Sequence, residues 1–359
     1  MDNLLEYAAS GGRLTAGEIL ELLTGADLTE LGIAAGLVCD RLHPEPVRTY
    51  VIDRNINYTN ICTSGCSFCA FYRPPGHPEG YVLTTDEVLA KVQEAVDLGA
   101  TQILMQGGLH PELKIEWYES LLSAIKSSFD VQIHSLSAPE IVHIADMSGL
   151  DIETTLTRLQ RAGLDSLPGG GAEILVDSVR VRVSPGKAST SEWTEVMECA
   201  ARLGMKATAT MLFGHVESLK DRVEHLIRIR DMQDRLNVFT AFIPWTYQPS
   251  NTALGGTTPG GHDYLKMLAV SRLALDNIPN IQASWVTQGD AIAQVALRFG
   301  ANDIGSTMIE ENVVAAAGVK FRLSEKRIIE LIHGAGYDAA QRDTLYKTLR
   351  VHSRMESVK

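Results

Sequence analysis

Thr49-Tyr-Val-Ile-Asp-Arg-Asn-Ile-Asn-Tyr-Thr59 runs almost directly into Cys62-Thr-Ser-Gly-Cys66-Ser-Phe-Cys69. The first segment is rich in β-branched and aromatic residues and reads as a strand. The second packs three of the chain's five cysteines into a C-x3-C-x2-C loop at the strand's end. A closed four-cysteine zinc or iron–sulfur site needs a fourth thiolate, and none lies nearby. Three thiolates on one loop can instead hold three irons of a [4Fe–4S] cube and leave the fourth iron open. The competing reading is a zinc site of Cys62, Cys66 and Cys69 completed by His77.

Working outward, strand-like runs alternate with amphipathic segments. Thr84-x-x-Glu87 caps a helix with Val88, Val92 and Val96 along one side. Thr101–Met105, Val131–Ser135, Leu164–Leu167, Lys206–Phe213, Val238–Trp245, Ile281–Val286 and Asn302–Met308 read as further strands, with helical segments between them. About eight such alternations predict an α/β fold of the (β/α)8 TIM type, with a doubly wound open sheet as the alternative. Residues 1–45 read as an N-terminal helical extension, 46–310 as the barrel, and 311–359 as a C-terminal helical extension.

Composition sets limits on function. A formal net charge of −12 over 359 residues argues against nucleic acid as a partner. No run of roughly 18 apolar residues predicts a membrane span. Met1-Asp-Asn-Leu-Leu-Glu lacks the basic and apolar regions of a signal peptide. Cys39 and Cys199 sit alone in helical segments and read as core residues, so the free thiols point to a reducing cytoplasm. Neither a Walker A loop nor a G-x-S-x-G or H-E-x-x-H motif occurs, and the sequence leaves the oligomeric state open.

In a barrel of this kind the site is built from the loops that follow the strands. Those positions hold Gln106-Gly107-Gly108, Ser135, Ser137 and Glu140, Gly169-Gly-Gly-Ala-Glu173, His215 with Glu217, Trp245 with Tyr247 and Gln248, and Trp285 with Gln288. The glycines admit a ligand close to the backbone. His215 and Glu217 read as an acid–base pair, and the tryptophan segments as an aromatic wall suited to a flat aromatic substrate. Helix capping for Ser137 and core packing for the tryptophans remain the competing readings.

The cysteine triplet resembles the signature of the radical S-adenosylmethionine (SAM) superfamily. Asn57-Tyr-Thr-Asn60, Phe68-Cys-Ala-Phe-Tyr-Arg73, Gln106-Gly-Gly-Leu-His-Pro111, Gly169–Glu173 and Gly214-His215 narrow the likeness to the branch acting on futalosine derivatives or making the deazaflavin precursor FO. Within it, Phe242–Pro249, Gln282–Gln288 and Phe299–Asn312 look most like cyclic dehypoxanthine futalosine synthases, with aminofutalosine synthases and FO synthase components as the alternatives. A non-catalytic iron–sulfur or zinc protein is a more remote one. The resemblance implies a [4Fe–4S] cluster on Cys62, Cys66 and Cys69. It also implies SAM contacts at Phe68, Gln106, Gly107, Gly108, Ser135, Glu173 and Arg180. Trp245, Tyr247, Gln248, Trp285 and Gln288 would hold the small-molecule substrate dehypoxanthine futalosine. Glu217 or His215 would act as base, and a flavodoxin or ferredoxin would supply electrons.

Overall fold

The computed structural model describes residues 1–354, apart from the side chain of Asp2; residues 355–359 lie outside the described residues. Eleven strands occur among them: β1 Val47–Val51, β2 Asn55–Ile56, β3 Gln102–Met105, β4 Gln132–Ser135, β5 Ser166–Leu167, β6 Lys206–Phe213, β7 Phe239–Thr246, β8 Asn280–Ile281, β9 Asp303–Ser306, β10 Asp338–Arg342 and β11 Thr348–His352. The helices are α1 Asp2–Ala9, α2 Ala16–Gly25, α3 Leu28–Leu42, α4 Thr85–Asp97, α5 Ile115–Ser128, α6 Ala138–Ser148, α7 Ile152–Ala162 and α8 Asp177–Val183. They continue with α9 Thr190–Arg202, α10 Leu219–Leu236, α11 Gly261–Ala274, α12 Trp285–Gln288, α13 Asp290–Ala296, α14 Val313–Ala316 and α15 Glu325–Gly334.

β2 to β8 form one parallel sheet in chain order, and β1 pairs in parallel with β9. The expected first strand is broken at residues 52–54, so β1 belongs to one sheet and β2 to the other. A single parallel bridge between Gln282 and Asp303 joins the chain just after β8 to β9 and completes the circuit. The sheet therefore curls around an interior, and the loops after its strands gather at one end, as the alternation predicts.

Local sequence accounts for the helix starts. Thr15 with Glu18 and Thr84 with Glu87 form reciprocal capping boxes, and the Asp27 carboxylate accepts the Thr29 and Glu30 N–H groups. Val88 and Val92 are fully buried, while Val96 is partly covered. α2 and α3 pack on α10 and α11. Gly32 lets α3 sit against Phe299, just after α13, since a Cβ there would lie 2.6 Å from its ring. Arg13 ties the extension down through Asp234 and Asp276 at 2.6 and 2.8 Å.

The C-terminal segment corrects the expectation of an all-helical extension. After α15 the chain returns as β10, parallel to β1, and folds back as antiparallel β11. No helix among the described residues is long and apolar enough to cross a membrane.

Candidate active site

The cysteine loop leaves β2 and is laced into place by backbone hydrogen bonds. Cys62 N–H donates to Arg73 O, Thr63 N–H to Leu109 O and Ser67 N–H to Val183 O, all at 2.8–3.0 Å. The Ser64 hydroxyl stands between two sulfurs, 3.0 Å from Cys62 Sγ and 3.3 Å from Cys66 Sγ, and Leu109 N–H points at Cys62 Sγ at 3.2 Å. Burial raises the Cys66 and Cys69 thiols above the ordinary value. His77 accepts the Glu79 N–H at Nδ1, and among the described residues no three His, Cys, Asp or Glu converge on a single metal ion. Three thiols on one loop, with hydroxyl and amide donors aimed at sulfur, fit three irons of a cluster.

Around this loop the glycine segments act through their lack of a side chain. A Cβ on Gly108 would collide with the Ile61 carbonyl behind Cys62, and one on Gly107 would meet the Tyr58 ring at 2.5 Å. Gly169 lies on the β6 backbone, where a Cβ would be 2.7 Å from both Ala209 Cα and Thr208 O. Gly171, with φ of 80°, turns the chain into Glu173, whose own φ is 42°. Few non-glycine residues adopt this left-handed conformation.

Glu173 is almost fully buried. Its Oε1 accepts from Lys187 Nζ at 2.6 Å, and its Oε2 has no hydrogen-bond partner among the described residues. Burial pushes the carboxyl up, but the Lys187 charge and hydrogen bond, with Arg180 and His215 helping, hold it below the ordinary value. An ionised carboxylate with one free, sealed oxygen fits the donor pair of a ribose diol. Phe68 contributes its ring, with Lys187 Nζ 5.4 Å from the centroid. Gln106 and Gly170 face each other across the rim, where a Cβ on Gly170 would be 2.5 Å from Gln106 Nε2.

Below the rim a cavity of about 250 Å³ runs down the barrel interior. Its upper wall includes Gln106, Gly169, Gly170, Trp245, Trp285 and Met308, and its floor Arg342, Thr344 and Tyr346 from the C-terminal hairpin. Trp285 Nε1–H donates to Ser306 O at 2.9 Å, which fixes that indole. His134 also lines the cavity: Nδ1 is 2.7 Å from Ser166 Oγ, and among the described residues Nε2 has no hydrogen-bond partner. Burial, with the Arg342 charge adding to it, lowers its pKa to about 3.

Several expected roles move. Arg180 is 3% exposed, and its guanidinium donates only to the carbonyls of Gly171, Ala172 and Ala188, so it braces the triple-glycine turn instead of meeting a ligand. Ser135 Oγ–H is committed to Met105 O at 2.6 Å. Ser137 caps α6 in a box with Glu140, whose other oxygen accepts Tyr58 O–H and Gly107 N–H. Glu217 takes Gly214 N–H, His215 N–H and the Arg222 guanidinium. The His215 ring uses Nε2 on Leu212 O and Nδ1 on Val216 N–H. Both side chains are sealed from solvent, so the pair fastens the loop after β6 and has no oxygen or nitrogen left for a base's work. Tyr247 O–H reaches Gly255 O, while Gln248 and Gln288 both bond Thr246 Oγ1. Those three hold loops together outside the cavity wall; Trp245 and Trp285 are the predicted substrate residues that line it. Sequence reading missed Lys187, His134, Gln282, Glu311 and the hairpin residues. Alternation along β4 could have found His134, which lies between Ile133 and Ser135, two residues that do not line the cavity.

Comparison with known proteins agrees with this geometry. Residues 56–229 match the radical SAM superfamily model, and residues 236–355 match the CofH/MqnC C-terminal region. A cyclic dehypoxanthine futalosine synthase of Halalkalibacterium halodurans is 47% identical over 99% of this chain and 97% of its own. One from Streptomyces coelicolor is 47% identical over 97% of this chain and 89% of its own. A 5-amino-6-(D-ribitylamino)uracil–L-tyrosine 4-hydroxyphenyl transferase of Methanopyrus kandleri is 41% identical over 98% of both chains. The fold is similar to that of the FeFe-hydrogenase maturase HydG from Carboxydothermus hydrogenoformans, with TM-score 0.75 at 15% identity over 96% of this chain and 80% of that one. Methylornithine synthase (PylB) gives 0.72 at 18% identity over 93% and 96%. The protein is an enzyme whose cofactors are a [4Fe–4S] cluster and SAM. The chain belongs to the radical SAM superfamily, in the branch that includes the cyclic dehypoxanthine futalosine synthases.

Proposed function

We propose that the enzyme converts dehypoxanthine futalosine to cyclic dehypoxanthine futalosine, a precursor of menaquinone. The observation that carries this reading is a cavity walled by Trp245 and Trp285 that opens beneath the Gln106–Gly170 rim, in a chain 47% identical to synthases of that name over nearly its whole length. The cluster and SAM together supply a 5′-deoxyadenosyl radical when reduced. In the substrate, C4′ of the ribose would lose a hydrogen atom to that radical, giving 5′-deoxyadenosine, and the carbon radical would add to the benzoate ring. One electron would then pass to an oxidised one-electron carrier of the flavodoxin or ferredoxin class and one proton to a base of the chain, which restores aromaticity.

The chain's own residues bind, orient and exclude. Cys62, Cys66 and Cys69 would hold the cluster, and Glu173 Oε2 the ribose hydroxyls of SAM. The indoles present flat faces to the benzoate, and the hairpin closes the floor against water. His134 takes the place expected of His215 and Glu217: with the proton on Nδ1 directed at Ser166 Oγ, Nε2 is the ring atom available to accept the departing proton. Because loss of the electron leaves a cationic, strongly acidic ring, an imidazole of lowered basicity suffices. A flavodoxin or ferredoxin in a reducing cytoplasm suits the electron requirement.

The test is to incubate reconstituted enzyme with SAM, a reductant and dehypoxanthine futalosine. A cyclised product two hydrogens poorer is expected, with 5′-deoxyadenosine alongside. The transferase likeness at 41% identity supports a second reading. A product from tyrosine and 5-amino-6-(D-ribitylamino)uracil, with none from dehypoxanthine futalosine, would replace the first reading by the second.

A further inference from the structure

We propose that Lys187 is a positioning residue joining the two cofactor sites: its ammonium holds Glu173 with Oε2 turned free for the ribose of SAM, and lays a positive charge beside the cysteine loop. Three independent contacts place it there. Lys187 Nζ is 2.6 Å from Glu173 Oε1, and both side chains are largely enclosed. The same ammonium stands 5.4 Å from the centroid of Phe68, which directly precedes Cys69. The segment that carries it is laced to the cysteine loop. Val183 O accepts the Ser67 N–H at 2.8 Å and the Ser67 hydroxyl at 3.1 Å. Gly186 lies so close that a Cβ there would be 2.8 Å from Ser64 O.

Glu173 is locked from the other side by its left-handed backbone and by the Arg180 brace on Gly171 and Ala172. One carboxylate oxygen is therefore engaged by the ammonium, and the other has no partner among the described residues. Removing the ammonium would strand a buried carboxylate, which would take up a proton and become a weaker, uncharged acceptor free to turn away from the ribose. Arg180 cannot replace Lys187, because its guanidinium is spent on backbone carbonyls. The inference concerns cofactor binding alone and holds whichever substrate the enzyme takes.

Anaerobically reconstituted holoenzyme tests it through iron content, SAM dissociation constant and cluster midpoint potential, none of which requires turnover. Lys187→Met is expected to keep its iron, to bind SAM about 100-fold more weakly, and to shift the cluster potential negative. Lys187→Arg should restore most of the affinity. Glu173→Gln combined with Lys187→Met should be no weaker than Glu173→Gln alone, since one residue acts through the other. SAM affinity in Lys187→Met within about 2-fold of the parent, or additive losses in the double variant, would overturn the proposal. Loss of iron in both Lys187→Met and Lys187→Gln would also overturn it, by making Lys187 a strut of the cysteine loop.

Discussion

Arg180 and His134 are both basic residues buried beside the site, yet their hydrogen bonds separate their roles. Each Arg180 bond ends on a carbonyl of the turn around Gly171–Ala172 or on Ala188. Arg180→Met leaves those carbonyls unpaired in a dry interior, and about 3 kcal/mol of stability should go with them. A urea titration checks this, and Arg180→Lys should recover little, because one ammonium cannot span both sides of the turn. His134, in contrast, keeps one nitrogen free. In His134→Phe, transfer of the C4′ deuterium of labelled substrate into 5′-deoxyadenosine should survive, while cyclised product falls about 10²-fold. Product formation at the parental rate would exclude His134 from the proton step. Residue types at strand ends are legible in the sequence, but their commitments are not. Arg180, Ser135 and Glu217 have the right chemistry in the right loops, and only their three-dimensional hydrogen bonds show that the fold already uses them.

Among the elements, the strand-to-loop junction of β2 carries most of the chemistry. Gly108→Ala drives a methyl group into the Ile61 carbonyl and the Cys62 Cβ. The variant should fold with a displaced cysteine loop, seen as iron content well below the parent's after identical reconstitution. Full iron loading would show that the loop has slack. The capping box at Thr84 is readable in the sequence because its signal is local, and the structure repeats the same device at Thr15 and Ser189. The short strands were harder. Of the expected strand Ile281–Val286 only Ile281 belongs to β8, and helix α12 begins at Trp285, so Trp285 reaches the cavity from a helical turn. β10, Asp338-Ala-Ala-Gln-Arg342, has no β-branched residue and is a strand only because β1 lies beside it. Tertiary pairing set both outcomes, and no local pattern carries that information.

Over the whole molecule, buried titratable groups link stability to pH. His134 and His225 are enclosed as neutral rings, each with its pKa lowered to about 3 by burial first and by a nearby arginine second. Their unfolded counterparts titrate near about 6.5, so between about pH 6.5 and 3 the unfolded chain binds more protons than the native one. The contribution is fully present above about pH 6.5 and is lost as the pH falls toward 3. Asp53 and Glu140, raised by burial, pull the opposite way. The measurable quantity is therefore a difference: His225→Gln should lose less stability than the parent between pH 7 and 5, in urea titrations at each pH. An equal loss in both proteins would remove His225 from the account. The barrel itself was legible at this scale from the alternation of strands and helices. Its closure was not, since the Gln282–Asp303 bridge and the β1–β10 pairing join segments far apart in sequence.

That last pairing has a consequence for how the protein is made. The floor of the cavity is supplied by Arg342, Thr344 and Tyr346, and its ion pair joins Arg342 to Asp303 at 2.5 Å. A ribosome releases these residues after all the strands of the barrel wall, so every nascent chain passes through a stage in which the cysteine loop and both tryptophans exist above an open-bottomed tube. A cluster assembled at that stage would face solvent from below. Order of synthesis thus favours a maturation sequence in which the polypeptide seals its base first and receives its iron afterwards.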